Sequence, residues 1–410
     1  HAMYQSKLLG KHRTQLYSPD SDLRIIEKNI QLDEIGQALR KSEFQLYYQP
    51  KVNMLTGEVF GAEALIRWIN PERGLIPPLN FLPIVADTPL EINIGEFVIN
   101  QALQQLDDWQ KQGINLEVSV NISSNHLLSS SFILQLGQSL AEHPLVPPKN
   151  LQLEVLESSA LGDINTINTI IATCQNELGV NFSLDDFGTG YSSLTHLRSL
   201  PVDTIKIDQS FVRDMLDDAS DFSIIDGVIA LSKSFDRDVI AEGVESTSHG
   251  LMLLHMGCTK AQGYKIAEPM PPTYFKTWLN SYIPNKTWLH FAATHYSHKE
   301  NSLEILKIIN KRWQTKFKEA VLSSHSNSDS WPILNCQLCH CNSWINKKRQ
   351  ERLFKKKSIK RLMQVHDKTH ILANTIKHKY QSGNIESARA LLTQLDLLFK
   401  EMHTATVLCE

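Results

Sequence analysis

Five carboxylates recur at one kind of place in this chain. Glu63, Glu154, Asp185, Asp186 and Glu242 each close a short apolar run, as do Asn121, Lys206 and Gln262. The runs read VFGAEALIRW, LEVSVNISS, LQLEVLESS, NFSLDD, VDTIKID, VIAEGVES and AQGY. An apolar run of about 4 to 6 residues followed by a helix-like segment marks a parallel β/α unit. Polar residues at the strand ends of such units gather at one face of a barrel, where barrels carry their chemistry. That many acids in one mouth repel each other unless cations sit among them, so a magnesium- or manganese-type site is expected. Acids also follow strands simply to cap the next helix. Capping accounts for one such residue. It is a poor account of seven consecutive units, or of adjacent Asp185 and Asp186 after one strand.

The elements that must position these residues follow. The stretch 32–41 reads as a lead-in helix and EFQLYYQP as the first strand. The LTGE turn at Leu55–Glu58 returns the chain at once into the strand carrying Glu63. A parallel crossover needs a dozen residues or more, so this connection is a hairpin and the first strand runs antiparallel to the rest. Val98, Ala102, Leu106 and Trp109 recur at helical spacing over 97–109. Beyond about Asn301 strand-like runs cease and lysine increases. Ile305, Ile308, Ile309 and Trp313 form one helical stripe; Ile385, Ala388, Leu391, Leu392, Leu395 and Leu398 form another. The fold class expected is α/β, a modified (β/α)8 barrel with an antiparallel first strand, followed by a C-terminal α-helical bundle.

With 410 residues the chain is too long for one ordinary core and suggests more than one domain. The divisions expected are an upstream remnant at 1–22, the barrel at 30–280, a linker at 281–300 and the bundle at 301–408. No apolar run approaches the length that spans a bilayer, and no secretory signal opens the chain. Formal net charge is −3, which gives no pointer to a nucleic-acid polymer as partner. Of six cysteines, three crowd into 336–341, which is not a disulfide framework and fits a reducing cytoplasm.

In order, YYQP, EALIRW, VNIS, LEVLE, DDFGTGYSSL, IKID, AEGVE and QGY resemble the EAL-domain phosphodiesterases that hydrolyse cyclic di-GMP. The resemblance covers roughly 42–272. It implies cleavage to linear pGpG with two magnesium or manganese ions about 3.5–4 Å apart, which supply a nucleophilic hydroxide and neutralise phosphoryl charge. It also implies that Glu63, Asn121, Glu154 and Asp185 hold one ion, and that Asp185, Asp186 and Glu242 serve the other. Lys206 is then the lysine that contacts the attacking water and offsets transition-state charge. Gln49, Arg67 and Gln262 are implied substrate contacts, and an arginine fork suits a phosphate. Glu245 would order water. Glu157 would accept hydrogen bonds from a gating loop over 187–193, in which Gly188, Gly190 and Ser193 stand. Leu156 and Asp87 depart from the family, which often has threonine and glutamate there; neither is a metal position. A homodimer is implied. The competing reading is a receptor that holds the dinucleotide and signals through partners without cutting it. All seven residues that degenerate members lose are present, which favours catalysis. A third reading, an interaction protein governed by the bundle, is compatible with either.

Two flanking resemblances complete the reading. AMYQSK at the start is similar to the closing helix of a GGDEF diguanylate cyclase domain, with an expression scar at His1–Met3 as the competing origin. In the bundle, CQLCHCNSW and VHDKTH resemble the chemoreceptor zinc-binding family, whose site uses three histidines and a cysteine. His366 and His370 stand four apart, share a helix face and suit one ion. Cys339 stands five residues before Trp344, as the family's cysteine does. Asn310 stands where the family has a histidine, and the glycine expected near Asn342 is missing; Cys336, His340 or Cys341 would replace the missing ligand, or the site is open or lost. The basic run 347–361 reads as a solvated face, with anionic lipid or nucleic acid as the less common alternative.

Overall fold

A 22-residue helix, Pro19–Arg40, leads the chain to the first strand. It is longer than the expected 32–41 because only its second half meets the barrel: Ile35 and Ala38 are buried, while Leu23, Ile26 and Ile30 are exposed. The computed structural model describes residues 19–157, 164–189, 198–323 and 331–407. The segment resembling the end of a cyclase domain thus lies almost wholly outside the described residues, as do Gly190 and Ser193.

Nine strands follow among the described residues: β1 Phe44–Asn53, β2 Val59–Asn70, β3 Gly74–Ile76, β4 Glu117–Ile122, β5 Leu151–Leu156, β6 Asn181–Phe187, β7 Thr204–Ile207, β8 Asp238–Ala241 and β9 Lys260–Gln262. Eight of them close a barrel in the order β1-β9-β8-β7-β6-β5-β4-β2, with β1 also paired to β2 and β3 appended beyond β2. β1 is antiparallel to both its neighbours, with Gln49 opposite Glu63 and Lys51 opposite Gln262. From β2 to β9 by way of β4 the pairing is parallel. The β1–β2 turn closes through Gly57 at φ 75, where no side chain is tolerated cheaply.

Burial explains why these residues make these strands. β5 is buried at five consecutive positions and β7 throughout, as expected of parallel strands covered on both faces. The helix Pro89–Lys111 buries Val98, Ala102, Leu106 and Trp109 against the barrel. Trp109 meets Tyr48 and Phe275 in an aromatic cluster, with ring centroids 5.1 and 4.8 Å away.

The C-terminal region is all helical among the described residues: His298–Leu322, His340–Glu351, Lys356–Gln381, Ile385–Ala390 and Leu392–Val407. Between barrel and bundle, Lys286–Ala293 is a helix whose Trp288 packs on Gly250 and donates through Nε1 to the Thr247 carbonyl at 3.0 Å. A side chain at 250 would collide with that indole. The near half of the bundle shares the barrel's apolar core through Leu303, Leu306, Ile309, Cys339 and Trp344. The far half has its own, built on Phe317, Trp331, Ile376 and Leu395. No helix among the described residues is long and apolar enough to cross a membrane.

Candidate active site and a second ligand cluster

Strand register brings the polar residues together. Glu63 lies within β2 rather than at its end, because β2 continues past the barrel as a ribbon with β1 and β3. Parallel pairing with β4 nonetheless stops at Ala64, which leaves Glu63 at the rim. Asn121 is registered with Glu154, and Leu156 with Asp185, so the acids step around the mouth strand by strand.

Asp185 and Asp186 pose a geometric problem, since neighbours on a regular strand face opposite sides. The β6–β7 register breaks between Leu184 and Phe187, and Asp186 takes φ 54, in the left-handed region. This irregularity turns both carboxylates to the mouth. Ligand oxygens of Asp185, Asp186 and Glu242 lie within 4.8 Å of one another, as do those of Glu63, Glu154 and Asp185. Asp208, just after β7, stands beside Asp186 and caps the following helix by accepting from the Ser210 backbone. The sequence reading missed Asp208; the last letter of IKID was the available signal.

Lys206 sits at the centre, fully buried. Its Nζ is 2.6 Å from Glu154 Oε2, 2.6 Å from Glu242 Oε1, 3.2 Å from Asp185 Oδ1 and 3.6 Å from Glu63 Oε2. Burial alone would strip its proton, but four carboxylates hold its pKa well above the ordinary value. Glu63 is pushed up by burial, yet Lys206 and hydrogen bonds from Gln262 (2.7 Å) and Asn121 (2.8 Å) bring it below the usual range. For Glu154 burial wins over Lys206, with Glu63 and Asp185 adding repulsion, and its pKa is pushed up to about 8. Asp186 is raised to about 6 by burial, Asp185 and Asp208. Glu242 also lies well above its ordinary value, through burial and then the other acids against Lys206.

This imbalance tests whether divalent cations fit. Five ionised carboxylates and one ammonium leave a charge of −4, which two divalent ions would cancel. Without them Glu154 and Glu242 favour their protonated forms. Glu154 Oε1 is moreover buried with no hydrogen-bond partner. An all-oxygen donor set suits magnesium or manganese over softer ions.

Beside the acids a cavity of about 340 Å³ is lined by Gln49, Arg67, Glu245, Gln262 and Tyr264. Gln262 donates to Gln49 at 2.9 Å, and Gln49 donates to the Ala267 carbonyl at 3.0 Å, which fixes both amides. Arg67 lies over the Tyr47 ring at 5.7 Å, its pKa lowered by burial. Glu245 is exposed at the cavity edge. Glu157, buried under β6, accepts from the Gly188 backbone at 2.7 Å. Leu156 is exposed and stands in register with Asp185.

The second cluster is in the bundle. Ligand atoms of Cys339, His366 and His370 lie within 4.8 Å of one another, with Cys339 Sγ 3.0 Å from His366 Nε2. His370 Nδ1 contacts the Leu334 carbonyl at 2.8 Å, which leaves its Nε2 for the cluster. Tetrahedral zinc ligands stand roughly 3.5 Å apart, so one sulfur and two imidazoles so placed fit zinc. Burial raises the Cys339 thiol to about 11 and lowers His366, beside His370, to about 4.

The EAL domain family profile matches residues 32–269, more than half of the chain. The chain belongs to the EAL domain family. It is 36% identical over 284 residues to the cyclic di-GMP phosphodiesterase PdeR of Escherichia coli, covering 69% of this chain and 42% of that one. It is 35% identical over 271 residues to the bifunctional diguanylate cyclase/cyclic di-GMP phosphodiesterase MucR of Pseudomonas aeruginosa, covering 66% and 39%. The chain thus spans about two fifths of these relatives' length. Among solved structures, the MucR phosphodiesterase in complex with c-di-GMP superposes with TM-score 0.57 at 36% identity, covering 59% of this chain and 97% of that one. The FimX EAL domain of Pseudomonas aeruginosa bound to c-di-GMP gives 0.54 at 27%, covering 58% and 96%.

Proposed function

We propose that this chain hydrolyses cyclic di-GMP to linear pGpG with two magnesium or manganese ions. The observation that carries the reading is the convergence of four acids on Lys206, with Asp186 beside them, next to a cavity bearing Arg67 and two fixed glutamines. Glu63, Asn121, Glu154 and Asp185 would hold one ion, and Asp185, Asp186 and Glu242 the other. When bound, the ions make water nucleophilic at neutral pH and offset phosphoryl charge. The chain's own residues do the rest. Arg67 donates to a phosphate oxygen through its planar fork. Gln49 and Gln262 orient the dinucleotide by their amides. Lys206 keeps its proton and places a positive charge where negative charge develops on the scissile phosphate. Asp208 places a further carboxylate beside Asp186, and Glu157 tethers the start of the loop after β6.

In the bundle, Cys339, His366 and His370 would hold zinc, and the bundle would regulate the barrel. Homodimers in the cytoplasm are the setting this implies. Chromatography of cyclic di-GMP incubated with the chain and magnesium tests the enzyme reading: linear pGpG should accumulate over many turnovers. Tight binding with the dinucleotide returned intact would support the receptor instead. Elemental analysis tests zinc, which should be present in the native chain and absent from the His366→Ala/His370→Ala variant.

A further inference from the structure

The zinc-type cluster does not face bulk solvent. It forms one wall of a cavity of about 310 Å³ at the seam between bundle and barrel. Asn310, on the helix His298–Leu322, lines the same cavity. The opposite wall belongs to the barrel, where Asp214, Asp217, Asp218 and Asp221 stand between β7 and β8. Lys316 also lines the cavity, but its ammonium lies 3.3 Å from Asp217, which Arg312 engages as well at 2.8 Å. Arg213 pairs with Asp214 at 3.0 Å, so Asp218 and Asp221 give that wall its excess of negative charge.

His340 gives a second, independent pointer to a ligand. It is 6% exposed, packs its ring on Phe222 at 4.8 Å and lines the cavity. Neither of its ring nitrogens makes a well-aligned hydrogen bond, with the Leu216 backbone, Asp218 and Asp217 as its polar neighbours. A buried imidazole left so is costly unless something else fills the site.

Three soft ligands leave a tetrahedral ion one position short. Asparagine offers only a neutral amide oxygen, a poor donor for a soft ion. We propose that the Cys339–His366–His370 site, loaded with zinc, keeps a coordination position open to this cavity, and that a small thiol carrying an ammonium group binds there. The sulfur takes the open position, and the thiol proton is released to solvent. The ammonium group lies toward Asp218 and Asp221, and His340 contacts the middle of the molecule. This inference rests on the zinc reading, whose failure the following experiment separates from its own.

Cobalt substituted for zinc in the full chain reports its ligands by visible and near-ultraviolet absorption. One cobalt per chain should bind. Cysteamine should shift the ligand-field bands and about double the sulfur charge-transfer absorbance, since a second sulfur joins Cys339. 2-Mercaptoethanol should need about tenfold more for the same change, the worth of one partly buried ion pair. Ethanolamine should do nothing. Asn310→His should bind cobalt more tightly and ignore cysteamine. Asp218→Asn/Asp221→Asn should lose the preference for cysteamine over 2-mercaptoethanol. Cobalt bound with no response to cysteamine, an unchanged response in Asn310→His, or cobalt stripped from the chain by the thiol would each overturn the proposal alone. No cobalt bound by either the native chain or Asn310→His overturns the zinc reading and this one together.

Discussion

The two ligand clusters of this chain are built on opposite principles. The barrel mouth takes one or two residues from each of several strands, so its geometry depends on register across the whole sheet. The bundle cluster takes two residues from adjacent turns of one helix and a third from a helix N-cap. The mouth is hard, anionic and frustrated, with acids that cannot all ionise around one lysine. The bundle cluster is soft and neutral, with imidazoles that burial keeps unprotonated. Charge repulsion thus makes the mouth demand cations, whereas the bundle cluster merely accommodates one. It follows that the mouth should tolerate no loss of an acid, and that the bundle should survive without metal.

The sharpest way to break that contrast is at the mouth. Glu63→Ala removes the acceptor for Asn121 and Gln262 as well as a carboxylate, and should lower turnover by about 10³-fold or more. Lys206→Ala should lower it by about 10²-fold, as removal of one electrostatic stabiliser does. Steady-state kinetics on both variants decides, and wild-type rates would place the chemistry elsewhere.

A smaller effect is expected at Gly188, which sits at φ 103 with the Phe211 ring 2.9 Å from where a Cβ would stand. Gly188→Ala should cost about 1–3 kcal/mol of stability and slow turnover by disturbing the Glu157 tether. Thermal unfolding and kinetics measure the two effects separately.

The smallest effect separates the two regions by pH. Glu154, raised to about 8, favours the folded state fully only below its unfolded pKa, and that contribution is lost as pH rises through 8. His366 and His340, lowered to about 4, contribute above their unfolded pKa of 6.5 and lose it as pH falls toward 4. In metal-free protein, hydrogen-exchange protection, corrected for the intrinsic rate at each pH, should therefore fall in barrel-mouth peptides from pH 5 to 8, and in bundle peptides from pH 7 to 5. The same direction in both would remove the contrast.

Much of this was legible in the sequence, for identifiable reasons. The LTGE turn is too short for a crossover, which settled the antiparallel β1. Ordered strand-end motifs pointed to the acids, and i, i+4 spacing to His366 and His370. Long-range packing was not legible. The bulge that turns Asp186 inward depends on a register break with β7. The length of the lead-in helix was missed because its first half buries nothing. The bundle's docking on the barrel through Arg312–Asp217 and Lys347–Asp226 leaves no periodic trace in either segment.

The central claim is that charge in the barrel mouth makes hydrolysis depend on divalent cations. The direct measurement is cyclic di-GMP cleavage by exhaustively chelated chain, before and after each metal is restored. Chelation should abolish cleavage, magnesium or manganese should restore it, and calcium should inhibit, because its longer, looser coordination misplaces the ligands. Cleavage that continues at full rate after complete chelation would contradict the account.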